Sequence, residues 1–181
     1  SVYGERAGRA IVQAVEGAGG ALAGVETYAR SADALREAAT RLNARGNFDA
    51  VLIADAAQVA AQAAPIVRET SPQPRVLGTE LWATDANLGS SPALRGAWFA
   101  APAETNYAAF RSRYRARYNA APFRLSTLGY DAVLLAVRIA ADWPVGRRFP
   151  AAALREPTGF TGVDGAFRFG RDGVAERALE V

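Results

Sequence analysis

The 181-residue sequence contains no cysteine, no histidine, no methionine and no lysine; all 21 of its basic residues are arginine. Without cysteine there is no disulfide, no thiol nucleophile and no thiolate metal ligand. That absence suits a reducing or an oxidising compartment equally. Without histidine, an ordinary Ser-His or Cys-His pair and a common zinc site cannot be assembled. Carboxylates, hydroxyls, guanidinium groups and the backbone remain for chemistry. No apolar stretch is long enough to span a bilayer and no signal-peptide pattern is visible. With no methionine and a first residue of Ser1, the chain is not expected to be a complete primary translation product.

Half of the residues are hydrophobic and 22% are charged, enough for a folded core. The length suits one domain or two small lobes that share segments. The pI of 9.7 reflects a habit of composition, because the net charge is only +3. No basic run exceeds the pair Arg147-Arg148, so no clustered face for a nucleic acid is expected.

What is present alternates. Residues 3–17 set Ala7, Ala10, Ile11, Ala14 and Val15 on one helical face, and Gly17, Gly19 and Gly20 stop that helix. "ALAGVETYA" (21–29) reads as a strand. Ser31 is placed to cap a helix whose Leu35, Ala38, Ala39 and Leu42 form an inward stripe ending at Gly46. "FDAVLIAD" (48–55) is a continuous apolar run, as in a strand covered on both faces. Residues 57–69 form the next helix, shortened or kinked at Pro65; "PRVLGTE" (74–80) and "LRGAWFAAP" (94–102) are further strands. Strand and helix repeat in units of roughly 25 residues, which predicts a parallel, doubly wound α/β sheet with helical crossovers. The first helix has no strand before it, and in such sheets that strand lies centrally. A substantial part upstream of Ser1 is therefore expected.

The second half differs. Residues 104–120 carry Tyr107, Phe110, Tyr114 and Tyr118 on one face, with Arg111, Arg113, Arg115 and Arg117 on the flanks and back. The aromatic stripe reads as core, and the arginines read as a solvated face or the rim of a docking surface. Residues 125–143 form a nearly all-apolar helix expected to be buried on most sides. Residues 159–181 read as a hairpin, with Phe167 and Phe169 alternating and "GRDG" supplying the turn.

In this order the elements resemble the class I periplasmic binding proteins of the leucine/isoleucine/valine-receptor type. "SVYGERAGRAIVQAVEGAGGAL" resembles the opening helix of that family's second lobe, and "FDAVLIAD" and "PRVLGTE" its next strands. "GYDAVLLAVRIA" resembles a helix returning to the first lobe, and "GFTGVDGAFRFGRDGVAERALEV" its closing hairpin. "LRGAWFAAP", "FRSRYRARYNAAPFRL" and the ending resemble a bacterial branch described as penicillin-binding protein activators. The resemblance implies an α/β lobe at 1–101, a helical segment at 102–150 belonging to or packing on the other lobe, and a hairpin with hinge crossing at 151–181. It covers the later part of such a protein.

Ligands of an open parallel sheet lie beyond the carboxyl ends of its strands. Tyr3-Gly4, Arg30-Ser31, Asp55 and Thr79-Glu80-Leu81-Trp82 are predicted to gather there. In the receptors this chain resembles, an acidic residue at the matching exit holds the ligand's ammonium group, a role that would fall to Glu80. Such a charge-assisted contact is worth roughly 1.5–3 kcal/mol. Glu80 could equally be solvated or paired with an arginine. Tyr3 either lines the cleft or packs on a neighbouring strand, Trp82 either stacks on a ligand or shields the hinge, and Thr79 stands beside them. Asp55 and Ser31 read as N-caps. The loop Asp55-Ala56-Ala57-Gln58 offers small residues where an amino-acid receptor would place an aromatic wall.

Two functions follow. One is a ligand-binding module for a small polar, amino-acid-like solute, closing about an interlobe cleft and presenting its ligand to the membrane subunits of an ABC transporter. The other is a protein-interaction module that regulates a cell-wall synthase. Both imply a periplasmic setting, the chain being lipid-anchored if an upstream segment carries an anchor, and neither needs a cofactor or a metal. Enzymatic activity is not expected: "GAGG" at 17–20 follows a helix, the wrong context for phosphate cradling.

Overall fold

A computed structural model describes every residue except 1, 30, 47, 70–72 and 86. The chain divides into two compact units, Ser1–Ala100 with Val181, and Ala101–Glu180.

The first unit is built on a parallel sheet. Strands β1 (Ala50–Leu52), β2 (Arg75–Gly78) and β3 (Trp98–Phe99) lie in the order β1-β2-β3, with Val51 opposite Val76 and Leu77 opposite Trp98. The predicted parallel pairing holds through all three. Helix α1 spans Val2–Gly17, α2 Ala32–Arg45 and α3 Ala57–Val67. Ser31 caps α2, its Oγ accepting the Ala34 amide at 3.2 Å. The Leu35, Ala38 and Ala39 stripe is buried as its spacing requires. Helix α3 buries Ala57, Ala60, Ala63 and Ala64, whose small side chains let its backbone ride close to β2 and α2. Pro65 stands in its last turn, where it has no amide to donate to the Ala61 carbonyl, and the helix ends two residues later at Val67. Asn43 Nδ2 donates to Ile66 O at 2.7 Å and ties α2 to α3. Val51, Ile53, Val76, Trp82 and Leu94 complete this core.

Residues 21–29 do not form the predicted strand. They run without ladder bonds, with Leu22 and Val25 exposed, because no described residue offers their backbone a strand to pair with. Side chains hold the segment instead: Glu26 Oε2 accepts Arg41 Nε at 3.0 Å and Glu26 Oε1 accepts Arg45 Nη2 at 2.6 Å. Helix α1 forms where the spacing placed it, yet none of its residues is buried.

The second unit joins two helices to a small antiparallel sheet. Helix α4 (Glu104–Tyr118) ends at Asn119 in the left-handed conformation, φ 50°. Its Tyr107 and Phe110 are buried, Tyr114 packs beside them and Tyr118 is exposed, so the aromatic stripe is core only in its first half. Helix α5 (Ser126–Ala140) buries Thr127, Asp131, Leu135 and Ile139. Leu128, Val133, Leu134 and Val137 are exposed, contrary to the expectation of a helix enclosed on most sides, because only one face meets packed elements. The closing segment is a three-stranded meander rather than a simple hairpin: β4 (Phe160–Gly162), β5 (Gly165–Phe169) and β6 (Ala175–Arg177). Phe160 and Phe167 face each other across β4 and β5 and pack on Leu135 and Ile139.

Candidate functional site

Parallel pairing puts the exits of β1 and β2 on one edge. Beyond β1 the chain continues through Ile53, whose amide donates to Leu77 O at 2.9 Å, to Asp55. Beyond β2 it passes Thr79 into a 3-10 turn, Glu80–Thr84. That turn swings Trp82 back across the strand end, where a Cβ on Gly78 would collide with the indole ring. Glycine is needed at position 78 for this close approach. Trp82 is 1% exposed, its ring lies 6.1 Å from that of Phe99, and its Nε1 donates to Asp55 O at 3.0 Å. It ties the two exits together from beneath, with almost no surface left for a ligand to stack on.

Helix α1 brings Tyr3 to the same place. The phenol donates to Glu80 Oε1 at 3.0 Å and Oε2 at 3.1 Å, a bifurcated contact across both carboxylate oxygens. Burial pushes the Tyr3 phenol above its usual range, the adjacent Thr79 hydroxyl opposes the rise, and the Glu80 carboxylate adds to it. Thr79 Oγ1 is itself buried and lacks a hydrogen bond of good geometry among the described residues. Glu80 remains exposed, and no arginine stands within ion-pair distance of it among the described residues. An exposed carboxylate steadied by one neutral donor can accept an ammonium or hydroxyl group on its open side.

Asp55 serves differently from the expectation. Ala56, not Asp55, is the N-cap residue of α3, and it makes no side-chain cap bond. Asp55 Oδ1 accepts the Ala56 amide at 2.8 Å and Oδ2 accepts the Tyr28 hydroxyl at 2.9 Å. One carboxylate oxygen is thus held by its own loop and the other by a phenol from residues 21–29. The Tyr28 phenol is pushed far up, first by burial and then by the Asp55 carboxylate. The sequence places Tyr28 only within an expected strand; its sole signal is a polar-tipped aromatic at the end of that segment. Ser31 is occupied with capping, Gly4 forms part of α1, and Arg30 lies outside the described residues. No group of three or more acidic side chains that could hold a metal occurs among the described residues.

No protein-family profile and no curated protein sequence matches the chain. Solved structures do. A protein described as a branched-chain amino acid ABC transporter from Rhodospirillum rubrum matches with a TM-score of 0.67 and 23% identity, over 92% of this chain and 51% of that one. An ABC transporter substrate-binding protein from Desulfitobacterium hafniense matches at 0.53 and 19%, over 84% of this chain and 46% of that one. A leucine-binding protein from Thermotoga maritima matches at 0.51 and 21%, over 83% of this chain and 44% of that one. This is the fold of ABC-transporter substrate-binding proteins. The chain spans about half the length of those it matches. That fold is the one the resemblance to the leucine/isoleucine/valine-receptor type implies. The further likeness to penicillin-binding protein activators finds no support among these matches. No helix among the described residues is long and apolar enough to cross a membrane.

Proposed function

We propose that this chain is a non-catalytic lobe of a periplasmic solute receptor, which binds a small polar, amino-acid-like ligand and delivers it to ABC-transporter membrane subunits. Residues 1–101 supply the α/β lobe, 102–150 helices that associate with the other lobe, and 151–181 the closing sheet and hinge crossing. Glu80 takes the ligand's cationic group on its exposed side. Tyr3 orients the carboxylate, the unsatisfied Thr79 hydroxyl offers a further polar contact, and Trp82 is the rigid floor beneath all three. The observation that carries this reading is the Tyr3–Glu80 contact at the carboxyl edge of a parallel sheet. A cation recognised there would experience little competition, since no guanidinium neutralises Glu80 among the described residues.

Calorimetric titration and thermal shift with leucine, valine, alanine and their decarboxylated amines test it. Ligand binding only to the folded state raises the melting temperature. The expected result is a saturable rise with at least one amino acid, lost in Glu80→Ala and weakened in Tyr3→Phe. A flat response to every ligand, or a rise unchanged in Glu80→Ala, would refute the assignment. The alternative of a cell-wall synthase regulator has no structural observation in its favour.

A further inference from the structure

The connection from the Trp82 turn to β3 covers a half-open cavity of 360 Å³ in the first unit. Leu88, Leu94, Phe99 and Trp82 are among its apolar lining residues. Ser91 and Arg95 line it as well. The backbone here is fixed by two further arginines. Arg68 Nη1 donates to Ala93 O at 2.6 Å and its Nη2 to Arg95 O at 3.1 Å, while Arg75 Nη1 donates to Gly96 O at 2.8 Å. Arg75 also lies over the Trp98 ring, 4.5 Å from its centroid.

Two guanidinium groups thus hold one short segment that itself carries a third arginine, Arg95. Among the described residues none of the three has a carboxylate within ion-pair distance. Arg68 and Arg75 use their donors on backbone carbonyls, which leaves their charge uncompensated. The Arg95 guanidinium has no hydrogen-bond partner among the described residues, and Arg95 is one of the residues that line the cavity. A planar fork of free donors in an uncompensated positive field, next to an apolar wall, suits one ligand chemistry: a carboxylate with a short hydrocarbon tail. The volume lies at the small end of ligand pockets, which run from ~300 to ~1,000 Å³, and accommodates a small acid.

We infer that this cavity is an accessory site for a small aliphatic carboxylate, its anionic end held by Arg95 and its tail laid on Leu88, Leu94 and Phe99. The site shares no recognising charge with Glu80, and its ligand preference is opposite: anion here, cation there. It stands whether or not the proposed receptor function does.

The test is an amide ¹H–¹⁵N titration of the protein with 4-methylpentanoate and, separately, with the neutral 4-methylpentanamide. The expected result is a saturable shift of the Ser91, Arg95 and Gly96 amides with the carboxylate, at least about tenfold weaker with the amide, as the loss of a charge-assisted contact requires. Arg95→Gln should weaken the carboxylate to the level of the amide and leave the amide unchanged; because Arg95 is exposed, the variant's remaining resonances should overlay. Equal affinity for acid and amide in the unsubstituted protein would overturn the proposal without recourse to any variant. So would the absence of shifts across 88–97, or shifts confined to Tyr3, Thr79 and Glu80.

Discussion

Glu80 and Asp55 leave neighbouring parallel strands at comparable points, yet only Glu80 keeps a carboxylate facing outward. The difference lies in what each neighbour donates. Tyr28 and the Ala56 amide consume both oxygens of Asp55, whereas Tyr3 shares one proton across both oxygens of Glu80. The raised phenols make a pH prediction. Folding favours the neutral form of Tyr3 and Tyr28, so their contribution is complete below the ordinary tyrosine value of ~10 and is lost as pH rises through the higher folded values. Urea unfolding midpoints should therefore fall in the alkaline range, and Tyr28→Phe should flatten most of that fall while costing about 1 kcal/mol at neutral pH. Glu26 has the opposite sign. Arg45 first, then Arg41, hold its carboxyl below the usual glutamate range. Its contribution is present above ~4.3 and is lost as pH falls through the lower folded value. A carboxyl-carbon NMR titration of Glu26 should show the depressed midpoint, which should return towards the ordinary value in the Arg45→Gln variant.

At the scale of elements, the second unit is organised around two acidic residues that the sequence did not single out. Asp131, on the buried face of α5, accepts the Val163 amide at 2.7 Å through Oδ1, with Arg177 Nη1 at 3.9 Å from Oδ2. Asp164 accepts Thr127 Oγ1 at 2.6 Å and is paired with Arg124, whose guanidinium lies over the Tyr107 ring at 4.2 Å. Together they clamp the turn between β4 and β5 onto both helices. Gly162 is part of the same device: a Cβ there would collide with the Asp131 carboxylate. Asp131→Ala leaves the buried Val163 amide unpaired and should cost about 1–3 kcal/mol in equilibrium unfolding. Gly162→Ala should destabilise as well, because the acceptor it would displace is enclosed and cannot move aside. In the first unit, Gly78→Ala should displace the Trp82 ring, read as a shift in indole fluorescence with a lowered melting temperature. An unchanged spectrum would mean that Trp82 does not lie over the strand end.

At the scale of the molecule, the surface is unusual for what it leaves uncovered. Val133 and Val137 on α5 are each 62% exposed, on the side of the helix opposite its buried Asp131, Leu135 and Ile139. Their contacts contribute little to the chain as it stands. The double substitution Val133→Lys, Val137→Lys should change its stability by no more than about 0.5 kcal/mol per site, the range of ordinary surface changes. It should also reduce binding of a hydrophobic dye. A large loss of stability on this substitution would show that the face is covered in solution.

The sequence by itself determined the local elements and their order. Apolar spacing placed α2, α3, α4 and α5, the Ser31 cap set the start of α2, and the alternation of strands with crossovers specified a parallel sheet. These features were legible because each depends on residues three or four apart, or on the simple need to bury an apolar run. It also brought Tyr3, Thr79, Glu80 and Asp55 to one edge. Only the tertiary structure decided which partners they take there. The phenol on each carboxylate comes from 77 residues away for Glu80 and 27 for Asp55, a pairing no local pattern encodes. The same is true of the failed strand at 21–29 and the open face of α5. Burial and ladder pairing are properties of neighbours in space, and a segment with the right pattern stays unpaired where no neighbour stands beside it.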